Sequence, residues 1–257
     1  MSECLITDNM LVAFENINHI NQKRTRKVGE VTVKLDMSKP YDRVEWGCLE
    51  KIMLKMGFHV KWVDILTRCV WFVSYSIKIN RRPTGHITPT WGLRQRDSLS
   101  PYLFLIYAVG LSAMLKKFVV DGQMKGVAFC SRGLEISHLF FADDSLIFCQ
   151  ATREDYSSLE KTLEAYENAL GQQLNQEKTN LFFSSNTPQD IQGDIKHKFG
   201  AEVIHQHETY LGLPSLVGKY MSNTFLQIKE RLDNKLSRWK AKMLSQARKG
   251  ILIKAVA

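Results

Sequence analysis

Between Asn9 and Ile20 apolar residues recur at helical spacing (Met10, Leu11, Phe14, Ile17), predicting an amphipathic helix that runs into an exposed loop at Lys23, Arg24, Arg26 and Lys27. Val31 to Leu35 alternates apolar and polar with β-branched residues, the pattern of a strand, and delivers Asp36 at its end. Glu45 to Phe58 and Lys61 to Phe72 read as two helices broken at Gly57. Ser74 to Asn80 alternates again, and the turn chemistry of Arg81-Arg82-Pro83-Thr84-Gly85 predicts a hairpin there. Ser100 to Phe118 is apolar on most faces, with Pro101 suited to a first turn, and predicts a buried helix. Two apolar runs from Ser137 to Gln150 flank Ala142-Asp143-Asp144-Ser145, predicting a hairpin with carboxylates at its tip. Thr152 with Asp155 is an acidic variant of the capping box, opening a helix that Gly171 closes. Lys178 to Ser184 reads as a further strand. From Phe225 onward, Leu226, Leu232, Leu236 and Trp239 recur among lysines, predicting one or two amphipathic helices. Strands interleaved with helices, without a regular βαβ rhythm or internal repeat, point to an α+β fold on a small antiparallel sheet.

Composition narrows the class. A chain of 257 residues, 44% hydrophobic and 24% charged, is of ordinary globular type, large enough for one large domain or two small ones. The formal charge of +9 is unevenly spread: from Lys219 to Ala257, ten Lys/Arg stand against Glu230 and Asp233. A basic terminal stretch points to a polyanionic partner, nucleic acid above all, with a solvated helix face as the plainer alternative. Cys4, Cys48, Cys69, Cys130 and Cys149 form no C-x-x-C pair and have no His at metal spacing, so neither a zinc site nor a disulfide framework is indicated, and a reducing compartment fits. With no run of eighteen apolar residues and no leader pattern at the N-terminus, no membrane partner is expected; the expected location is intracellular, nucleus or cytoplasm.

Two carboxylates at a hairpin tip and a third at a strand end are the oxygen donors that two hard divalent cations take. Each alone has a plainer reading: an Asp-Asp pair in a tight turn is usually a solvated turn, and a strand-terminal Asp is usually a cap for the next segment. The joint pattern is more specific. Val33 to Val44 (VKLDMSKPYDRV) resembles the first catalytic motif of retroelement reverse transcriptases, Gly92 to Phe104 (GLRQRDSLSPYLF) the second, and Phe141-Ala142-Asp143-Asp144 the third, in family order. Leu174-Asn175 with Lys178-Thr179 resembles the fourth, and Tyr210 to Pro214 (YLGLP) the primer-grip segment. The resemblance runs from about Ile6 to the end, and its close, from Leu236 through Lys254, is similar to plant LINE-type, non-LTR retrotransposons; group II intron enzymes share the catalytic motifs but fit this segment less well.

That resemblance implies a right-hand polymerase: a palm of a small antiparallel sheet packed on helices, with partial fingers over residues 1–30, a core over 31–215 and thumb-like basic helices over 216–257. It implies an RNA-directed DNA polymerase that transfers a nucleotide from a dNTP to a primer 3′-hydroxyl on an RNA template, holding RNA and DNA or their hybrid, with two Mg2+ ions, or Mn2+, as cofactors. Asp36, Asp143 and Asp144 would be the catalytic, metal-binding carboxylates, with the Met37 carbonyl facing a metal. Tyr41 would be the steric gate below the sugar, against a core tyrosine as the plainer reading; Gln95 would pack on the incoming nucleotide; Lys178 would approach the pyrophosphate, against a surface lysine. Trp239 could stack on a base, although core packing is the more common role at helical spacing.

Three positions depart from the family. Arg96 and Ser98 replace Gly and Pro of the second motif, and Pro40 stands where Ala is usual. Glycine gives backbone access and dihedrals that other residues avoid, and proline removes an N–H that could contact the triphosphate. By the family's measure most of the fingers, an endonuclease and an RNase H region would be missing, and the C-terminus falls in or just after the expected thumb. A decayed, catalytically inactive nucleic-acid-binding remnant is therefore the rival reading.

Overall fold

The computed structural model describes residues 6–22, 28–128, 135–141 and 144–203, together with 209–210, 213–214, 226, 229–230 and 233–234. The chain divides into two compact units, Met1–His205 and Gln206–Ala257. In the first, helix α1 (Ile6–Gln22) precedes strand β1 (Glu30–Leu35), helices α2 (Trp46–Lys55) and α3 (Val60–Trp71), and the ribbon β2 (Tyr75–Ile79) and β3 (Arg82–Ile87). The long helix α4 (Ser100–Val120) follows, then β4 (Val127–Ala128), β5 (Glu135–Ile136), β6 (His138–Phe141) and β7 (Asp144–Gln150). Helix α5 (Arg153–Leu170), a 3-10 turn (Gln176–Lys178), β8 (Asn180–Phe183), α6 (Gln189–Phe199) and β9 (Glu202–Val203) complete the unit. In the second unit β10 (Thr209–Tyr210) pairs antiparallel with β11 (Leu213–Pro214), the expected primer-grip segment.

The central sheet has the order β6-β7-β1-β8-β9, antiparallel throughout except for the parallel β8–β9 pair that α6 connects. Along β1, Val31, Val33 and Leu35 face the main core with Ile147, Cys149 and Leu181, against Met53 of α2, Leu103, Tyr107 and Leu111 of α4, and Leu159, Leu163 and Tyr166 of α5. The alternation of β1 predicted a half-buried strand, yet Thr32 on the other face is also fully buried. Helix α1 is the cause: it touches β1, β6 and β8, and Ala13, Ile17 and Ile20 are buried along it.

Thr152 caps α5 as expected, its hydroxyl accepting the Asp155 N–H at 3.2 Å, and Gly171 ends the helix at φ 67°. Three expectations need correction. Helix α4 is long and apolar enough by composition to cross a membrane, but it is a core helix, burying Leu103, Phe104, Tyr107, Leu111 and Leu115. It is not buried on most faces, because Tyr102, Leu105 and Val109 are exposed one turn apart. The β2–β3 turn is Asn80-Arg81, both at positive φ (47° and 67°), so Arg82 to Gly85 belong to the returning strand. Lys178 ends the 3-10 turn instead of opening β8. The helices expected beyond Phe225 lie largely outside the described residues; 226, 229–230 and 233–234 are helical.

Candidate active site

Two of the three expected carboxylates lie at one end of the β1–β7 ladder. β1 pairs with β7 as far as Leu35 opposite Ser145, and β6 pairs with β7 at Phe141 opposite Asp144. Asp36 and Asp144 are the next residues along the chain at that end of the β1–β7 ladder. Asp143 lies outside the described residues, and among the described residues no three His, Cys, Asp or Glu side chains cluster. The donors at positions 36 and 144 are oxygens only, a set that fits Mg2+ or Mn2+ and not a soft metal.

The loop after β1 is fixed from behind by a segment that the sequence did not mark as its partner. The Asn175 N–H donates to the Asp36 carbonyl, and the Ser38 N–H to the Gln173 carbonyl, both at 2.8 Å, making Met37 and Leu174 an isolated antiparallel bridge. Because the flanking residues carry the bridge, the Met37 carbonyl stays outside this ladder while its side chain is buried. Gln172, itself buried, donates from its amide to the Pro40 carbonyl at 3.2 Å, and the Glu167 carboxylate accepts the Leu174 N–H at 2.6 Å. The fourth motif thus holds the first. The only sequence signal for this was the closeness of Gln172 and Gln173 to the Gly171 helix stop.

The second motif closes on the same loop from the other side. The Gly92 N–H donates to the Val44 carbonyl at 2.8 Å and the Leu93 N–H to the Tyr41 carbonyl at 2.7 Å. Trp46 donates from its indole N–H to the Gly92 carbonyl at 2.7 Å. Tyr41 is half-buried and its ring stacks on Phe104, centroids 4.7 Å apart and planes inclined by 17°. Gln95 is exposed and reaches Asp42 at 3.5 Å. Lys178 is exposed on the 3-10 turn, its backbone N–H bonded to the Asn175 carbonyl at 3.2 Å. Tyr107 ties the floor of the site: its hydroxyl donates to the Leu170 carbonyl and accepts the Glu45 N–H, and burial pushes its pKa up.

Backbone strain sits in these two loops. Among the described residues four non-glycine positions have positive φ: Asn80 and Arg81 make the ribbon turn, and Lys39 (49°) and Arg96 (65°) flank the candidate pocket. Arg96 occupies the position where the resemblance expects glycine, and its backbone keeps the left-handed conformation that glycine adopts freely, at about 1–2 kcal/mol for an L-residue. Its side chain is exposed.

An uncharacterized mitochondrial protein of Arabidopsis thaliana is 42% identical over 67 residues, 26% of this chain and 55% of that protein. Apo telomerase of Candida tropicalis, truncated from its C-terminal domain, superposes with a TM-score of 0.52 at 16% identity, covering 71% of this chain and 36% of that one. Telomerase of the same organism in complex with a telomeric RNA fragment gives 0.51 at 14% identity, over 80% and 31%. The chain therefore spans about half of the curated relative and about a third of the telomerase chains, which share its right-hand polymerase fold. The model of the reverse transcriptase (RNA-dependent DNA polymerase) family matches residues 5–237, and the chain belongs to that family.

Proposed function

We propose that this chain is the palm of an RNA-directed DNA polymerase from a plant LINE-type, non-LTR retroelement. The observation that carries the reading is the match of the reverse transcriptase family over residues 5–237, and the β1–β7 ladder, which ends next to Asp36 and Asp144, supports it. The reaction joins a primer 3′-oxygen to the α-phosphorus of a deoxynucleoside triphosphate and releases pyrophosphate. Asp36, Asp143 and Asp144, with the Met37 carbonyl, would hold two divalent cations, Mg2+ or Mn2+; bound there, such ions supply stabilisation of the negative charge that develops during phosphoryl transfer. Tyr41, braced by Phe104, leaves no room for a 2′-hydroxyl; Gln95 packs on the incoming nucleotide; Lys178 offers a proton to the leaving pyrophosphate. Residues 1–30 act as partial fingers, and 216–257 as a thumb-like segment whose lysines and arginines grip the RNA template and DNA primer by their phosphates.

A second reading, an inactive nucleic-acid-binding remnant, is favoured by Arg96 in a glycine conformation and by Pro40, which has no N–H to offer a triphosphate. Primer extension on poly(rA)/oligo(dT) separates the two. The polymerase reading expects dTTP incorporation that Asp36→Asn or Asp143→Asn abolishes. Extension that survives Asp36→Asn overturns it; binding without extension, recovered by Arg96→Gly with Pro40→Ala, identifies the remnant.

A further inference from the structure

Helix α5 is acidic in a chain whose net charge is +9: it carries Glu154, Asp155, Glu160, Glu164 and Glu167 against Arg153 and Lys161. Glu160, Glu164 and Glu167 follow one another at helical spacing and share one stripe of the helix. That stripe walls a groove of about 150 Å3 between α5, the 3-10 turn and α6, floored by the buried side chains of Tyr156, Leu163 and Phe199. The Lys198 ammonium sits at its edge, 3.8 Å from the Glu160 carboxylate and 5.2 Å over the Tyr156 ring. Among the described residues no lysine or arginine pairs with Glu164 or Glu167. Tyr156 points to a ligand independently. It is 4% exposed, its ring meets Phe199 edge-on, and its hydroxyl has no hydrogen-bond partner among the described residues. Burial, and then the Glu160 and Glu164 carboxylates, push its pKa up, so it stays a neutral hydroxyl with lone pairs to accept a donor.

Size, sign and shape decide the occupant. The groove is smaller than the roughly 300–1,000 Å3 that encloses a drug-sized ligand, and suits one long side chain. Its carboxylates repel a polyanion and attract a cation. A guanidinium presents a planar fork of donors to carboxylates and stacks on aromatic rings, whereas an ammonium is a compact point charge. Glu167 is already held in place, its carboxylate accepting the Leu174 N–H at 2.6 Å, so little order is lost on binding. We propose that this groove docks an arginine side chain from a basic segment of a partner protein, its guanidinium on Glu164 and Glu167 with the Tyr156 hydroxyl as a further acceptor. The arginine stem lies along Leu163 and Phe199. None of Asp36, Tyr41, Gln95, Asp144 and Lys178 lines the groove, and the inference does not rest on the polymerase reading.

The test is fluorescence anisotropy of a labelled peptide that alternates leucine with arginine, added to the full chain. Each protein is first checked for folding by circular dichroism. A counterpart with citrulline, which keeps the shape of arginine and removes its charge, is expected to bind about tenfold more weakly or worse. Glu164→Gln with Glu167→Gln should weaken the arginine peptide about tenfold, while the new Gln at 167 can still accept the Leu174 N–H. Tyr156→Phe should weaken it about threefold and leave the urea midpoint unchanged or higher, because the hydroxyl has no partner to lose in the free chain. Glu154→Gln with Asp121→Asn removes the same charge from exposed positions away from the groove and should leave affinity unchanged. An equal loss in that control assigns the binding to general attraction and overturns the proposal. So does a wild-type chain that binds both peptides alike or neither. Displacement of the arginine peptide by equimolar spermidine assigns the groove to a small polycation and overturns the protein partner.

Discussion

Gly92 and Gly57 share φ 88° but differ in surroundings, so replacing each by alanine separates backbone strain from steric conflict at the candidate site. At Gly57 an added Cβ meets nothing within 4 Å. The penalty there is the left-handed conformation alone, about 1–2 kcal/mol, partly offset by about 0.4–1 kcal/mol from a less flexible unfolded chain, leaving about 1 kcal/mol. At Gly92 the Cβ would stand 2.9 Å from the Asp42 carbonyl oxygen and 3.3 Å from its carbon, both backbone atoms. Relief requires the 41–44 turn to move away from Gly92, against the Gly92-to-Val44 and Leu93-to-Tyr41 hydrogen bonds. Loss of one or two such bonds adds about 1 kcal/mol each, so Gly92→Ala should cost about 2–3 kcal/mol in all. Urea denaturation of the two variants reads the difference directly as a shift in midpoint at constant slope. Equal destabilisation of the two would refute the claim that the second motif is pressed against the first.

Three further outcomes rest on the same geometry. Arg96→Gly should raise stability by about 0.5–1 kcal/mol in thermal or urea unfolding, since relief of the left-handed strain exceeds the entropy cost of glycine. Tyr107→Phe leaves the Leu170 carbonyl and the Glu45 N–H without their partner and should cost about 1–3 kcal/mol by the same measurement. His138 is pushed down to about 4, first by burial and then by Lys116, so the folded state favours its neutral ring. That contribution is fully present above the ordinary value near 6.5 and is lost as pH falls toward 4, because the unfolded chain takes up the proton first. His138→Gln should flatten the decline of stability between those two pH values, and an unchanged pH profile would contradict the assignment.

What was legible in the sequence was local. The alternation of Val31 to Leu35, the Thr152 cap and the Gly171 stop each rest on chemistry within one or two turns, and each element forms where that chemistry places it. The ribbon turn was misplaced because Pro83 and Gly85 are stronger turn residues than Asn80-Arg81. In a two-stranded ribbon every strand is an edge, so a proline lacking its N–H is tolerated within β3. Helix α6 went unmarked since Gln189 to Phe199 is mostly polar, carries Gly193, and buries only Ile195 and Phe199. At the site, the motifs and their order point to Asp36, Asp143 and Asp144, but no periodicity announces that the 172–175 segment braces the loop after Asp36. Pairings of residues more than a hundred positions apart are set by tertiary register, which a single sequence does not display.

The polymerase reading stands on the end of β1 and the start of β7 forming one cation site. Mn2+ binding followed by electron paramagnetic resonance, with a template–primer and dTTP present, reports on that site without needing turnover. A shared site predicts bound Mn2+ in the wild-type chain and its loss in Asp36→Asn and in Asp144→Asn alike, with folding unchanged by circular dichroism. Bound Mn2+ that survives either substitution unaltered would contradict it.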